Sequence, residues 1–143
     1  MDKLEIKQIT NKKEFKETIK IRETVFIKEQ NVPKEIEIDE IDKEAKHFIA
    51  YIKNKPIGCA RIRKINYYAK LERIAILKEY RGKGFGKELT NFLINYCKKE
   101  GFNEIHIHSQ IYVSSFYEKL GFKSIGKKFL EADIEHIEMI RTI

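Results

Sequence analysis

The chain has 143 residues, 42% of them hydrophobic, with 29 basic side chains against 22 acidic ones for a formal net charge of +7. That is about one domain of chain with enough apolar material for one core, which excludes a multidomain assembly and intrinsic disorder. Charged residues reach 36%, and the positive balance favours an anionic partner.

Leu4 and Ile6 alternate with Glu5 and Lys7, the pattern of a half-buried strand. Asn11, with Glu14 three residues on, reads as a helix cap. The helix that follows sets Phe15, Ile19, Arg22 and Phe26 at helical spacing, with Thr18 and Val25 beside them, until Pro33 stops the pattern. Residues 34–44 place Glu35, Glu37, Asp39, Glu40, Asp42 and Glu44 around only Ile36, Ile38 and Ile41, which predicts an acidic loop with one helical turn. Strand-like runs follow at 48–52, 57–65 and 70–77, the first two joined across Asn54-Lys55-Pro56 as an antiparallel hairpin. A helix starting near Gly86 carries Leu89, Phe92, Leu93, Tyr96 and Cys97 on one face and ends at Gly101. Residues 104–109 form the next strand. A short helix through Val113, Phe116, Tyr117 and Leu120 ends at Gly121, and two final strands are expected at 122–125 and 136–143.

This order is mixed α/β, with antiparallel pairs early and a strand-helix-strand crossover in the middle. Two prolines, seven scattered glycines and no Gly/Ser-rich run give no interdomain linker, so residues 1–143 are expected to be a single domain. Cys59 and Cys97 show no CxxC or Cys/His spacing, so neither a disulfide framework nor a metal site is expected. The start, Met1-Asp2-Lys3-Leu4-Glu5, has no apolar leader, and no window approaches the roughly 18 apolar residues of a membrane span. A cytoplasmic protein without a membrane partner is the expectation.

The densest chemical signal is Arg81-Gly82-Lys83-Gly84-Phe85-Gly86-Lys87, between a strand and an amphipathic helix. Unpaired N–H groups and the helix dipole favour an anion there, and glycine lets the backbone come close, so such a turn can wrap a phosphate. It is not a Walker A loop, since Arg81 replaces the first glycine and Glu88 the Ser or Thr that would hold magnesium. Lys87 stands where the Rossmann spacing needs a third glycine. The competing reading is a flexible surface turn.

The run Arg81 to Gly86 resembles the Arg-x-x-Gly-x-Gly signature of the GNAT superfamily of acyl-CoA N-acyltransferases, and Phe116-Tyr117-Glu118-Lys119-Leu120-Gly121-Phe122 is similar to that family's second hallmark. The resemblance runs the whole chain. It implies a mixed, mostly antiparallel sheet of about six to seven strands with a central splayed parallel pair and about four flanking helices. It further implies acetyl-CoA as co-substrate, no metal, and a small-molecule or peptide amine that attacks the thioester directly. Ile74, Ala75 and Ile76 would meet the pantetheine arm along the strand edge. Arg81, Gly82, Lys83, Gly84, Phe85, Gly86 and Lys87 would hold the pyrophosphate. Gln110 stands where many relatives have an Asn on the cofactor arm, and Ser115 is a further cofactor contact. Tyr117 occupies the general-acid position, against the plainer reading of an aromatic residue in a helix core.

Glu72 is the candidate base, because an amine at neutral pH is mostly an ammonium. Period-two counting places it on one face with Ile74 and Ile76. A carboxylate on a buried strand is either ion-paired, to Arg61 or near Arg73, or functional. His106 and His108 alternate on one face of the next strand as weaker candidates, and His47 and His136 have no discernible partner. The acidic stretch from Glu35 to Glu44 falls where the family places its acceptor loop, and reads either as an attractor for a cationic amine or as a solvated loop.

Two other functions compete: an acyl-CoA-binding regulatory module without catalysis, and nucleic-acid binding prompted by the net charge. The second is disfavoured because residues 61–99 hold eleven basic and three acidic side chains while the rest is near neutral. Charge so gathered around one turn suits a compact anion rather than a polymer. The oligomeric state is open, with a homodimer as one option.

Overall fold

Short turns with left-handed residues set up the sheet. The computed structural model describes residues 2–143. Strand β1 (Leu4–Gln8) pairs antiparallel with β2 (Lys46–Ile52), and β2 with β3 (Lys55–Ile65). The β2–β3 connection turns on Lys53 and Asn54 at φ +48° and +67°, the backbone of a type I′ hairpin. Next come β4 (Tyr68–Ile76), β5 (Glu104–Gln110), β6 (Lys123–Glu131) and β7 (Ile134–Thr142). Among the described residues seven strands form one sheet in the order β1-β2-β3-β4-β5-β7-β6, with β4 and β5 as its only parallel pair. The mixed, mostly antiparallel sheet with a central parallel pair is therefore as expected.

Helix α1 (Lys12–Arg22) starts at Asn11, whose Oδ1 accepts from the Glu14 N–H at 2.9 Å. The Glu14 carboxylate reaches back to the Thr10 N–H at 2.7 Å, one residue earlier than the capping-box pattern requires. Beyond Arg22 the helix widens to π geometry over Glu23–Glu29, where a continuous α-helix to Pro33 is expected from the spacing. Counting in steps of 3.6 residues cannot anticipate such a widened turn. The turn seats Val25 beside Ile21, Cys59 and Ala75 in a small core under α1. Helix α2 (Lys34–Glu37) is a single turn, and α3 (Phe85–Lys99) ends with Gly101 at φ +88°. Helix α4 (Ser114–Glu118) is followed by Gly121 at φ +91°. The main core lies between the sheet and α3 with α4, built on Phe48, Ile57, Leu89, Leu93, Ile105 and Met139, each fully buried.

The last two strands are longer than the sequence suggests. They form one hairpin, turning on Ala132 and Asp133 with positive φ. β6 is an edge strand exposed along nearly its whole length, so it shows no buried alternation, and its lysines guard an open edge. A bulge between Ile125 and Phe129, with Gly126 at φ +72°, breaks the pattern further.

The acidic segment is neither a free attractor nor a solvated loop. Arg22 and Arg61 are each 1% exposed. Arg22 donates to Glu37 at 2.6 Å and to Asp42 at 2.8 Å. Arg61 donates to Asp39 at 2.8 Å, Asp42 at 2.9 Å and Glu72 at 2.8 Å. Arg73 reaches the Glu37 carboxylate and the Ile36 and Glu37 carbonyls. Three of the six loop carboxylates thus clamp residues 34–43 to α1 and to the sheet.

Breaking a buried pair from one side leaves uncompensated charge. Arg61→Ala is expected to cost about 3–5 kcal/mol in urea denaturation. Removing the solvent-exposed Lys43, paired with Glu40, is expected to leave the unfolding curve in place.

Candidate active site

The parallel ladder between β4 and β5 runs only from Ala69↔Ile105 to Leu71↔Ile107. Both strands continue past it and diverge, and the wedge between them opens into a cavity of about 430 Å³. Its walls are Glu72 to Ile76 of β4, Ile107 to Gln110 of β5, Phe26 of the π-helical segment with Gln30 just past its end, and Phe116 and Tyr117 of α4. At the other end stand His108, Glu131 and His136.

A bulge shapes the β4 wall. The register against β3 passes from Cys59↔Ala75 to Arg61↔Glu72, so Arg73 and Ile74 together face Ala60. Arg73 takes φ +57°, a left-handed conformation costly for a side-chain-bearing residue. The bulge corrects the period-two count. Glu72 shares its face with Arg61, and Ala75 with Cys59, while Ile76 lies on the opposite face in the main core. Beyond Leu71 the β5 side of β4 has no strand partner.

The glycine-rich turn forms an open cradle flanked by lysines. Gly82 and Gly84 sit at φ +77° and +86°, and a Cβ on either would meet nothing within 4 Å. Gly84 is the N-cap of α3 and gives it no side-chain cap, so the first N–H groups of a 15-residue helix face outward. The Phe85 side chain is buried in the core, so only its backbone belongs to the cradle. Lys83 and Lys87 are exposed beside it. Gly86 lies against the Phe116 ring, which a Cβ would touch at 3.6 Å.

Arg81 has another task. Its Nε donates to the Ile76 carbonyl at 2.8 Å, and its two terminal nitrogens grip the Glu29 carboxylate at 2.8 and 2.9 Å. The guanidinium therefore fastens the turn to β4 and to the π-helical segment. Gln110 donates to Gln30 Oε1 at 2.8 Å, bridging the cleft. Ser115 is exposed on α4 and does not line the cavity.

Tyr117 is 9% exposed and lines the cavity. Phe116 and Phe122 meet its ring edge-on at 5.1 and 5.8 Å, while its hydroxyl has no hydrogen-bond partner among the described residues. Burial pushes the phenol up to about 12, so it is protonated at every physiological pH. Glu72 is held by Arg61 at 2.8 Å, Arg63 at 2.9 Å and Lys70 at 3.2 Å. Burial alone would push its carboxyl up; Arg61, Lys70 and Arg63 outweigh that and keep it below the ordinary carboxylate range. Of its two sequence readings the structure displays the ion pair, and a carboxylate so held is a poor proton acceptor at neutral pH.

The histidines separate by their partners. His106 has both ring nitrogens engaged, by Glu138 and Glu104, and stacks on Tyr68. His47 meets the Asp42 carbonyl at 2.8 Å. His136 Nδ1 lies 2.7 Å from the Ile134 carbonyl. His108 Nδ1 lies 3.0 Å from Glu131 Oε2. Glu131 lies beyond the sixth strand expected at 122–125; the signal is the Ala132-Asp133 turn, which closes the β6–β7 hairpin and leaves the Glu131 carboxylate within reach of His108. Among the described residues no helix is long and apolar enough to cross a membrane, and no His/Cys/Asp/Glu group is arranged to hold a metal ion.

A family described as "Acetyltransferase (GNAT) domain" matches residues 7–143. A Bacillus subtilis protein named "Uncharacterized N-acetyltransferase YjcF" is 38% identical over 132 residues, 92% of this chain and 94% of that protein. Among solved structures, an acyl-CoA N-acyltransferase from Pseudomonas aeruginosa superposes with a TM-score of 0.87 at 22% identity, covering 99% of each chain. A Bacillus subtilis acetyltransferase in complex with CoA gives 0.75 at 21% identity, again over 99% of each chain. These last two likenesses speak to the fold.

The depressed carboxyl of Glu72 fixes a pH dependence. Its contribution to stability is complete above the unfolded value of about 4.3 and fades as pH falls through the lower folded value. Glu72→Gln is therefore expected to lower the unfolding midpoint most at pH 7, with the gap to the parent protein narrowing below about pH 4, as urea titrations at the two pH values would read.

Proposed function

This chain belongs to the GNAT acetyltransferase family, and we propose that it moves an acetyl group from acetyl-CoA to a primary amine of a small molecule or peptide by direct attack, with Tyr117 as the acid. The observation that carries this reading is the Tyr117 phenol, 9% exposed on the cavity with its hydroxyl unpartnered among the described residues, beside an unpaired strand edge and near an uncapped helix head.

The residues present fit the co-substrate. The N–H groups at the head of α3, with Lys83 and Lys87 beside them, suit a pyrophosphate. The open edge of β4, with the backbone of Ile74 and the N–H of Ile76 beside the carbonyl that Arg81 holds, suits the amides of a pantetheine arm, which would add to the sheet as a strand does. Gln110 is positioned to exchange its bond to Gln30 for that arm. Ser115 faces solvent and takes no part in this reading. Bound there, acetyl-CoA supplies an activated carbonyl with a thiolate as leaving group.

Tyr117 then provides what a departing thiolate needs. Its neutral phenol donates a hydrogen bond to sulfur as the C–S bond lengthens, and gives up its proton while recovering the one that nitrogen sheds. An ionised tyrosine could do neither, and burial prevents ionisation.

Tyr117→Phe is expected to lower turnover by roughly a hundredfold or more in an acetyl-transfer screen against mixed amines with mass detection, while calorimetry finds CoA affinity unchanged. Undiminished turnover would overturn the assignment, and a parent protein that binds CoA yet transfers to no amine would favour a binding module.

A further inference from the structure

Deprotonating an ammonium requires a group that can accept a proton at neutral pH and has a free acceptor atom on the cavity. Three of the candidates fail on geometry. Glu72 is gripped by Arg61, Arg63 and Lys70. His106 has no free nitrogen. Glu37 is buried between Arg22 and Arg73.

His108 meets the requirement. It lies on β5 and lines the cavity that Tyr117 enters from α4. Its Nδ1 is 3.0 Å from Glu131 Oε2, and a carboxylate only accepts, so in the neutral ring the proton sits on Nδ1 and Nε2 carries the lone pair. Among the described residues Nε2 has no partner. Phe129 meets the ring edge-on at 5.0 Å and fixes its plane. Besides Tyr117 and Glu131, the charged or titratable side chains that line the cavity are Glu37, Lys70, Glu72, Arg73, Arg81, Tyr112 and His136. Lys70 and Glu72 pair with each other. His136 is held by a neutral carbonyl and meets Glu131 only through longer-range attraction, whereas His108 touches that carboxylate directly.

We propose that His108, oriented by Glu131, is the general base that takes a proton from the incoming ammonium. This rests on the acetyl-transfer reading above. One proton passes from the ammonium to Nε2, and the freed lone pair forms the N–C bond at the thioester carbonyl. The C–S bond breaks with its electron pair on sulfur, the Tyr117 hydroxyl protonates that sulfur, and the second surplus proton on nitrogen restores the tyrosine. The amide keeps one proton, and the imidazolium, paired with Glu131, releases its own to solvent. Glu131 is a positioning residue.

The test compares two acceptors with acetyl-CoA at pH 7: benzylamine, which is protonated there, and aniline, which is not. His108→Gln is expected to lose about a hundredfold or more on benzylamine and to stay near the parent rate on aniline. Glu131→Gln should show the same selectivity with a smaller loss, and His136→Gln should show none. Equal losses on both amines for His108→Gln, no loss on either, or a selective loss in His136→Gln would overturn the proposal. Tyr117→Phe should slow both amines; if it slows neither while His108→Gln stays selective, the acid assignment fails and the base stands. A readout free of activity is the imidazole nitrogen NMR spectrum of the unliganded protein. It should show His108 as the Nδ1–H tautomer, and a proton on Nε2 would refute the proposal.

Discussion

Parallel pairing between β4 and β5 stops after Leu71↔Ile107, and the site exists because those strands part there. Two features keep them apart. The bulge at Arg73 bends β4 away from its neighbour, and α4 inserts Phe116 and Tyr117 at the mouth. Ladder hydrogen bonds forgone across the wedge are replaced in part by side chains: Arg81 on the Ile76 carbonyl and Gln110 on Gln30. What stays open is one edge of β4 in the cleft and, across the Phe116 ring from it, the uncapped head of α3.

Charge is used twice over in this arrangement. Of the basic residues in 61–99, Arg61, Arg63, Lys70, Arg73 and Arg81 are bound to carboxylates, whereas Lys78, Lys83 and Lys87 are in no ion pair among the described residues. The excess of positive charge near the glycine-rich turn is therefore smaller than the sequence count, and resides in lysines that flank an uncapped helix. The arginines instead do architecture, offsetting the desolvation of Glu37, Asp42 and Glu72 on the face where an acceptor would enter. A loop so neutralised draws a cationic amine weakly, which moves the task of managing its charge to groups deeper in the cleft.

How much of this was legible follows from the range of each signal. Asn11 as the cap of α1, the face of α3 from Leu89 to Cys97, and a glycine-rich turn ahead of α3 are local patterns, and each forms where the sequence puts it. The β2–β3 hairpin is equally local. The bulge at Arg73 is invisible to period-two counting, which put Glu72 on the face of Ile76 when it lies on that of Ala75. The π turn after Arg22 escapes a 3.6-residue period in the same way. Exposed β6 has no alternation to find. The ion-pair cluster joins residues 22, 37, 39, 42, 61, 72 and 73, far apart in the chain, so their sequence neighbourhoods show only a run of charge.

The sheet also divides the chemistry by face. Lys70 and His106 are register partners in the parallel ladder, so His108, two residues on, lies on the face of Glu72 and Arg61. Tyr117 packs in the core on the opposite face with Leu120 and Phe122. Only the wedge beyond Leu71 lets groups from the two faces line one cavity. On the proposed mechanism the amine loses its proton on one side of the sheet and the sulfur gains one on the other. That separation keeps the base from simply handing its proton to the acid, because the reacting atoms lie between them. A continuous parallel ladder would restore the missing hydrogen bonds and close the passage, so the irregular pairing of β4 is the condition for acid and base to act on one substrate.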